Sequence, residues 1–355
     1  MKRALTLSAA SVVLTLLIPS TLVGWGHEGH EIVASLAQTR LTENTKTGIR
    51  SLIGDASLAS IASWADEVRP ERDETYNWHF VDIPTKASGF SDERDCFLPA
   101  SRHKGSATDH RNCVVDRIEI LKKVLSDSNA SHDDRAEALK FLVHFVGDAH
   151  QPFHAIGDAA GGNGISVSEF GSTQCGRHSC NLHGAWDSGL IQHTGMGRDE
   201  YVAHLEKLIS DEHLTAAGSP EDWANESHGY AQAALLPDGA QIDENYYRQE
   251  ITVVDRRLAL AGLRLAAVLN EAFAQRQSWH AQTEVLIGVV LEVKNGFRCT
   301  MYRTDGLFRV GGHSDVTSHF RRRLTRDVPV PCLSNRSSTC ATRSSSWATR
   351  SRLHS

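Results

Sequence analysis

Several features are absent from this sequence, and each absence excludes a class of protein. There is no C-x-x-C pair, strand-forming segments are sparse before residue 276, and no segment repeats. These absences disfavour a zinc site built from cysteines, a mainly β fold and a repeat architecture. No Ser or Cys motif points to a side-chain nucleophile. Beyond the N-terminal segment, no apolar run is long enough to span a bilayer.

The N-terminal segment has the pattern of a secretory signal. The basic pair Lys2-Arg3 is followed by the apolar run 14–18 and then by small or apolar residues up to position 24. This order is typical of cleaved signals, and the apolar run is too short for a transmembrane helix. We therefore predict that residues 1–24 are removed, that the mature chain begins at Trp25, and that the protein is exported to the periplasm or the medium.

Charge divides the chain into two parts. Residues 276–355 contain 13 Lys and Arg against 5 Asp and Glu. The whole chain has a net charge of −6 and residues 1–24 contribute +2, so residues 25–275 carry −16. An acidic body does not favour duplex binding through a broad basic face, but it attracts cations.

The C-terminal segment, residues 276–355, also differs in composition because it is basic and rich in Ser and Arg. Residues 285–293 predict a strand, and the low-complexity end at 334–355 predicts disorder. One interpretation is a basic tail that helps to bind nucleic acid. The other, which we favour, is an extension unrelated to the preceding domain.

Four cysteines lie in the acidic body, namely Cys96, Cys113, Cys175 and Cys180. In an exported protein an even number of cysteines indicates disulfides. The pairings that are local in sequence are Cys96–Cys113 and Cys175–Cys180, but spacing leaves the connectivity open.

Apolar residues recur at helical spacing over most of the body. The predicted helices cover residues 28–41, 57–68, 116–125, 133–149, 184–193, 199–212, 220–235 and 244–274. The segment 133–149 is apolar on most sides and predicts a central buried helix that Pro152 ends. The polar, Gly-containing stretches 84–113 and 155–182 predict loops. We therefore expect one all-α domain.

Histidine and aspartate recur at the spacing of metal ligands. His144 and Asp148 lie four residues apart on one helix face, and His183 and Asp187 repeat that spacing. A single pair of this kind is more often an ordinary polar pair. However, His144 and Asp148 lie in an apolar helix, where a buried imidazole and carboxylate need partners that a metal provides. His154, which follows the first pair, extends this set towards a site for several metal ions.

Together, these motifs resemble a known enzyme family. The residues that carry the resemblance occur in order as Trp25-Gly26-His27-Glu28-Gly29-His30, Trp64-Ala65-Asp66, His79-Phe80-Val81-Asp82, His144 to His154, Gly161-Gly162-Asn163 and Asn181-Leu182-His183 to Asp187. They resemble the zinc-dependent single-strand-specific nucleases and 3′-nucleotidases, over residues 25–275 only. The resemblance implies a single mainly helical domain of the phospholipase C and zinc nuclease type, followed by an unrelated extension.

The resemblance implies ligands for three Zn²⁺. The implied sets are Asp66, His79, His144 and Asp148 for the first ion; Trp25, His30 and the shared Asp148 for the second; and His154, His183 and Asp187 for the third. Trp25 would bind through its free α-amino nitrogen and its carbonyl oxygen, so zinc binding would require signal cleavage. The implied reaction is in-line attack on phosphorus by a hydroxide that bridges the paired ions, while the third ion stabilises the leaving 3′-oxygen.

The resemblance also implies how substrate is bound. Asp66 would orient the hydroxide, and Arg69, one turn later, would bind phosphate, although a surface salt bridge is an alternative for Arg69. Phe80 would stack on an unpaired base and Asp82 would hydrogen-bond it, although Phe80 alone is also compatible with an ordinary core role.

The opposite wall of the implied pocket departs from the family pattern. Ala160 replaces a larger apolar residue, which predicts a looser pocket, and Asn163 is expected to help to position substrate.

The expected substrates are single-stranded DNA, RNA and 3′-nucleotides, cleaved by a monomer without stable membrane association. One alternative is a zinc phospholipase C acting on phosphatidylcholine, but the five-residue interval from Trp25 to His30 and the ligand Asp187 favour the nuclease. A second alternative is a non-catalytic zinc-binding protein, which would have no need for Arg69 or Phe80.

Overall fold

The computed structural model describes residues 25–96, 112–282, 287–293 and 296–302, with side chains up to residue 274. In this part of the chain ten α-helices follow one another: α1 (His27–Gln38), α2 (Glu43–Ile53), α3 (Trp64–Val68), α4 (Val114–Ser126), α5 (His132–Asp148), α6 (Leu182–Gly184), α7 (Leu190–His193), α8 (Arg198–Glu212), α9 (Pro220–Ala234) and α10 (Glu244–Gln282). The prediction of a mainly helical domain is confirmed. The predicted signal segment 1–24 and the low-complexity end 334–355 lie outside the described residues.

The strands are short and few in the described ranges. β1 (Val167–Glu169) pairs in parallel with β4 (Ala240–Ile242), and β2 (Gln174–Cys175) pairs antiparallel with β3 (His178–Ser179). The chain divides into two compact units at residues 277 and 278. The second unit contains the antiparallel hairpin β5 (Ile287–Val293) and β6 (Gly296–Tyr302), which confirms the strand predicted near 285–293.

Helix α5 is the centre of the first unit. Its N-terminus is capped by Ser131, whose side chain accepts a hydrogen bond from the backbone of Asp134. Every residue from 141 to 150 is buried, because α1, α2, α3 and α4 all pack against this helix. The helix ends at Asp148, and Pro152 begins a 3₁₀ turn (Pro152–Ala155). The prediction of a central buried helix is confirmed.

The helix predicted over residues 57–68 is interrupted. The structure has a 3₁₀ turn (Ala59–Ile61) and then α3, separated at Ser63, whose φ and ψ of −99° and 2° are not helical. The imidazole of His144 donates a hydrogen bond to the carbonyl of Ala62 at 2.7 Å, and the amide of Asp66 bonds to Ser63 instead. In a continuous helix the carbonyl of Ala62 would accept a hydrogen bond from the amide of Asp66, but here it accepts one from the side chain of His144.

Two further helical segments differ from the prediction. The segment predicted as one helix at 184–193 contains a π-helical turn (Ala185–Gly189) between α6 and α7, a feature that is often found at functional sites. Helix α2 was not predicted, because its sequence is polar. It is held by packing: a Cβ at Gly48 would lie 2.3 Å from the ring of Phe273.

The segments predicted as loops contain only short regular elements in their described parts. A π-helical turn (Asp92–Cys96) lies in the first, and β1 to β3 lie in the second. Both local cysteine pairs are joined, with Cα atoms 5.0 Å apart for Cys96–Cys113 and 4.9 Å apart for Cys175–Cys180. Among the described residues no helix is long and apolar enough to cross a membrane.

Candidate metal centre and substrate pocket

Asp148, at the end of α5, is the centre of a buried cluster of imidazoles and carboxylates. His30 Nε2 lies 3.4 Å from its Oδ1, while His79 Nδ1 and His144 Nε2 lie 3.1 and 3.2 Å from its Oδ2. Asp66, from α3, completes the cluster, with its Oδ2 at 3.1 Å from His144 Nε2. All five residues are buried. The structure therefore brings together side chains from α1, α3, α5 and the turn before Phe80.

A second group lies next to the first. Ligand atoms of His154, His183 and Asp187 lie within 4.8 Å of one another, and the two imidazole rings stack with centroids 5.0 Å apart. His154 comes from the 3₁₀ turn after α5, whereas the other two come from α6 and the π-helical turn. The backbone N–H of Gly26 donates to the carbonyl of Asp187 at 2.8 Å, which places the predicted mature N-terminus beside this group.

Backbone carbonyls orient three of the imidazoles. The Nδ1 atoms of His144, His154 and His183 lie 2.7, 2.7 and 2.6 Å from the carbonyl oxygens of residues 62, 79 and 161. In each case the contact assigns the proton to Nδ1 and leaves Nε2 as a lone-pair donor. This is the arrangement by which proteins fix metal-binding histidines.

The carboxylate of Asp187 has a partner that sequence reasoning missed. The fully buried amide of Gln151 donates from Nε2 to Asp187 Oδ1 at 2.5 Å. Its own Oε1 accepts from the backbone of Phe153, which fixes the amide orientation. Gln151 follows the α5 ligands in sequence, but only the folded chain shows that it contacts Asp187.

Burial and mutual charge shift the pKa values of this cluster in opposite directions. Burial lowers the pKa of His30 to about 4 and that of His183 to about 3, with a neighbouring imidazole adding to each shift. For His144 burial also disfavours the charged ring, but the charges of Asp148 and Asp66 outweigh it and raise the pKa well above 6.5. Without a metal, a proton on His144 therefore holds positive charge between the two carboxylates.

The cluster contains buried polar atoms that a bound cation would satisfy. Within the described part of the protein, several of its buried atoms have no hydrogen-bond partner: both ring nitrogens of His30, both carboxylate oxygens of Asp66, Oδ1 of Asp148, and Nε2 of His79 and His144. Buried polar atoms without partners are costly, and bound divalent cations would satisfy the carboxylate oxygens and one nitrogen of each imidazole. Imidazole nitrogen and carboxylate oxygen are the donors that zinc accepts.

Trp25 was also predicted as a ligand, through its backbone. Its side chain is fully buried, and its ring lies beside Gly147, where an added Cβ would also meet the His30 ring at 2.8 Å. The position is therefore next to the cluster around Asp148. Two other groups that contain potential ligands use the sulfur atoms of disulfides, so they are not metal sites.

A pocket of about 450 Å³ opens beside both groups. All of the predicted substrate residues line it, together with ligands of the two groups: Arg69, Phe80, Asp82, Ala160, Asn163, His79, His154 and His183. Its volume lies in the usual range for ligand pockets, about 300–1,000 Å³.

The wall that carries Ala160 is tightly constrained. Ala159 and Ala160 have positive φ values of 49° and 53°, a left-handed conformation that is uncommon outside glycine. A Cβ at Gly157 would meet the Cβ of Asp82 at 3.1 Å, so this loop packs directly on the Asp82 segment. The amide of Asn163 donates to the carbonyl of Ala160 at 2.9 Å. Two lining residues that sequence reasoning missed are Tyr76 and Asn77.

Comparison with known proteins agrees with this geometry. A family profile described as S1/P1 Nuclease matches residues 25–274. Nuclease S1 of Aspergillus oryzae is 30% identical over 303 residues, covering 76% of this chain and 98% of the relative. Nuclease P1 of Penicillium citrinum is 31% identical over 280 residues (70% and 97%), and Endonuclease 4 of Arabidopsis thaliana is 30% identical over 302 residues (76% and 95%).

The helical fold, the buried imidazole–carboxylate cluster and these relatives define a metal-dependent hydrolase that acts on ester bonds. The chain belongs to the S1/P1 nuclease family.

Proposed function

We propose that this nuclease is an exported three-zinc enzyme. It cleaves single-stranded DNA and RNA to 5′-mononucleotides and removes phosphate from 3′-nucleotides. The observation that carries the proposal is the convergence of two groups of buried imidazoles and carboxylates on one pocket that also contains Arg69 and Phe80.

The proposed ligands divide among three ions. Asp66, His79, His144 and Asp148 hold the first; His30, Asp148 and the α-amino and carbonyl groups of Trp25 hold the second; His154, His183 and Asp187 hold the third. The atoms without hydrogen-bond partners around Asp148 support the first two sets, and the 4.8 Å grouping supports the third. When bound, zinc activates water near neutral pH and polarises phosphoryl oxygens.

The side chains of the pocket bind and orient the substrate. Arg69 donates hydrogen bonds to phosphoryl oxygens and stabilises the charge that develops during displacement. Asp66 accepts a hydrogen bond from the attacking water and so aims it at phosphorus. Phe80 stacks on the base on the 5′ side of the scissile phosphate, and Asp82 accepts hydrogen bonds from the edge of that base.

Single-strand preference follows from the same contacts. Phe80 is half-buried in the pocket wall, so a base reaches its ring only if it leaves the base stack. Stacking is available to every base but needs an unpaired one. The net charge of −16 over residues 25–275 supports this preference, because it provides no broad basic surface for a duplex.

We also propose that residues 1–24 direct export, that residues 25–275 form the catalytic domain as a monomer, and that residues 276–355 are a separate extension. The basic and apolar N-terminal pattern and the two disulfides support export. The family profile, which ends at residue 274, supports the domain boundary.

The test is to express the chain with its signal segment, purify the processed form and measure its metal content. Turnover of single-stranded DNA, RNA and 3′-AMP is then compared with turnover of duplex DNA and phosphatidylcholine. We expect about three Zn per chain by the ligand count above, loss of activity with a chelator, and recovery with added zinc. Release of diacylglycerol without nucleotide turnover would refute the nuclease and indicate a phospholipase.

A matched variant tests the terminal ligand. Retention of one residue before Trp25 leaves every side chain in place but removes the free α-amino group at that position. We expect this variant to fold, to bind less zinc and to lose activity. Full activity in the extended form would exclude Trp25 as an N-terminal ligand.

A further inference from the structure

Tyr76 occupies an unusual position in the pocket wall. Among the described residues it is the one large hydrophobic residue that is exposed, with 45% of its surface accessible to solvent. Its ring lines the pocket between two residues of the proposed function, since it contacts both Arg69 and Phe80. An exposed aromatic ring that lines a pocket offers a surface on which a nucleobase can stack.

Arg69 is held against Tyr76 by two contacts. Its guanidinium carbon lies 4.4 Å from the centroid of the tyrosine ring, and its Nη2 donates to the carbonyl of Tyr76 at 3.2 Å. Arg69 is itself one helical turn after Asp66, a residue of the metal cluster. The tyrosine ring is therefore adjacent to the place where the scissile phosphate is bound.

On its other side Tyr76 meets Phe80 edge to face, with ring centroids 6.0 Å apart and an interplanar angle of 87°. Arg69, Tyr76 and Phe80 thus form one continuous wall, in which Tyr76 lies between the phosphate-binding cation and the second aromatic ring. A base stacked on one ring is nearly perpendicular to a base stacked on the other.

We propose that Tyr76 forms a second nucleobase subsite, which stacks on the base on the 3′ side of the scissile phosphate. The inference rests on the proposed function, in which Phe80 receives the base on the 5′ side. Consecutive bases in a duplex are parallel, whereas bases on these two rings must be splayed apart. The subsite therefore binds flexible single strands and rejects stacked ones. A 3′-mononucleotide has no base to place there.

The test compares a substrate that reaches Tyr76 with one that does not. The dinucleoside monophosphate ApA contains one phosphate and a base on either side, whereas 3′-AMP contains only the 5′-side base. For Tyr76→Ala we expect kcat/KM for ApA to fall about 5- to 150-fold, the usual effect of losing one base–aromatic stack. Turnover of 3′-AMP should change less than about twofold. Tyr76→Phe should retain the wild-type ratio.

Two controls separate stacking from support of Arg69. Tyr76→Leu keeps apolar bulk beneath the guanidinium without an aromatic face, and we expect it to behave like Tyr76→Ala. Tyr247→Ala removes a half-buried tyrosine that is not among the pocket-lining residues, and we expect neither substrate to be affected. Inhibition by inorganic phosphate needs no base, so it reports on the phosphate site that includes Arg69 and should be unchanged in all four variants.

Equal losses on ApA and 3′-AMP, with weaker phosphate inhibition, would overturn the subsite and leave Tyr76 as a support for Arg69. An unchanged ApA rate in Tyr76→Leu would overturn it as well. If the wild-type enzyme turned over neither substrate, the proposed function itself would fail. Failure of the subsite alone would instead be seen with a wild-type enzyme that is active on both substrates.

Discussion

Arg257→Ala should cost far more stability than Arg256→Ala, although the two residues are neighbours on α10. The guanidinium of Arg257 is fully buried and makes four hydrogen bonds. Its Nε donates to the carbonyl of His150 at 3.0 Å, and its Nη2 donates to Ser227 Oγ at 2.6 Å. It also pairs with Glu226. Burial lowers its pKa to about 10, which still leaves it charged at neutral pH.

The magnitude follows from what the substitution leaves behind. Removal of Arg257 leaves the buried carbonyl of His150 without its charged donor, at a cost of about 1–3 kcal/mol. The vacated volume and the lost pairing with Glu226 add to this, but Arg264 still holds that carboxylate at 2.7 and 2.8 Å. The total is about 3 kcal/mol, near the lower end for breaking a buried pair. For a domain of this size that corresponds to a Tm decrease of about 6–12 °C.

The control, Arg256, forms an ion pair with Glu212 in which both side chains are about 40% exposed. Exposed pairs contribute about 0–1 kcal/mol, so Arg256→Ala should leave Tm within about 4 °C. For both variants of the zinc-loaded protein, followed by circular dichroism, urea denaturation gives the free energy of unfolding and thermal denaturation gives the Tm. If Arg257→Ala lost no more stability than Arg256→Ala, the buried network would not stabilise the end of α5, and the reasoning would be wrong.

Three further predictions concern the metal cluster and helix packing. Gln151→Ala should weaken zinc binding about 10- to 100-fold, because Asp187 loses the donor that orients it. In metal-free protein, His30 has a pKa of about 4 when folded and 6.5 when unfolded, so only the unfolded chain gains the proton between these values. The contribution of His30 to stability is therefore fully present above pH 6.5 and should fall by about 3 kcal/mol towards pH 4. Gly262→Ala should cost about 1–3 kcal/mol, because its Cβ would lie 2.5 Å from Leu36.

Each of these predictions has a measurement that can contradict it. Chelator competition tests Gln151→Ala, and an unchanged zinc affinity would show that its hydrogen bond is dispensable. Urea titrations of metal-free protein at several pH values test the prediction for His30. A free energy of unfolding that stayed constant between pH 6.5 and 4 would refute it. Gly229→Ala is the control for Gly262→Ala, because its Cβ would meet open space in α9, and it should gain about 0.5–1 kcal/mol. Destabilisation of both by equal amounts would contradict the packing argument.

The sequence allowed prediction of those helices whose own residues show an apolar repeat at helical spacing. The central helix α5 is the clearest case, since its apolar residues surround it and its cap and terminating proline are local signals. Helix α2 was not predicted because it depends on contacts with α5 and Phe273, and the local sequence does not indicate those contacts. The break at Ser63 was not predicted for the same reason. It is caused by the imidazole of His144, which binds the carbonyl of Ala62, 82 residues away in sequence.

The candidate site shows the same division. Residue types and the spacing of four between His144 and Asp148 suffice to predict a metal site, because an α-helix places such pairs on one face. The role of Gln151 and the position of Tyr76 were not predictable, because each is defined by a partner that folding brings into contact.

The sequence by itself therefore determined which donor atoms this protein offers and how each lies on its own helix. Only the tertiary structure decided that these atoms meet around Asp148 and that ring nitrogens point inward. The physical reason is that the orienting carbonyls lie 82, 75 and 22 residues from the imidazoles that they bind, so packing alone brings each pair within hydrogen-bond distance.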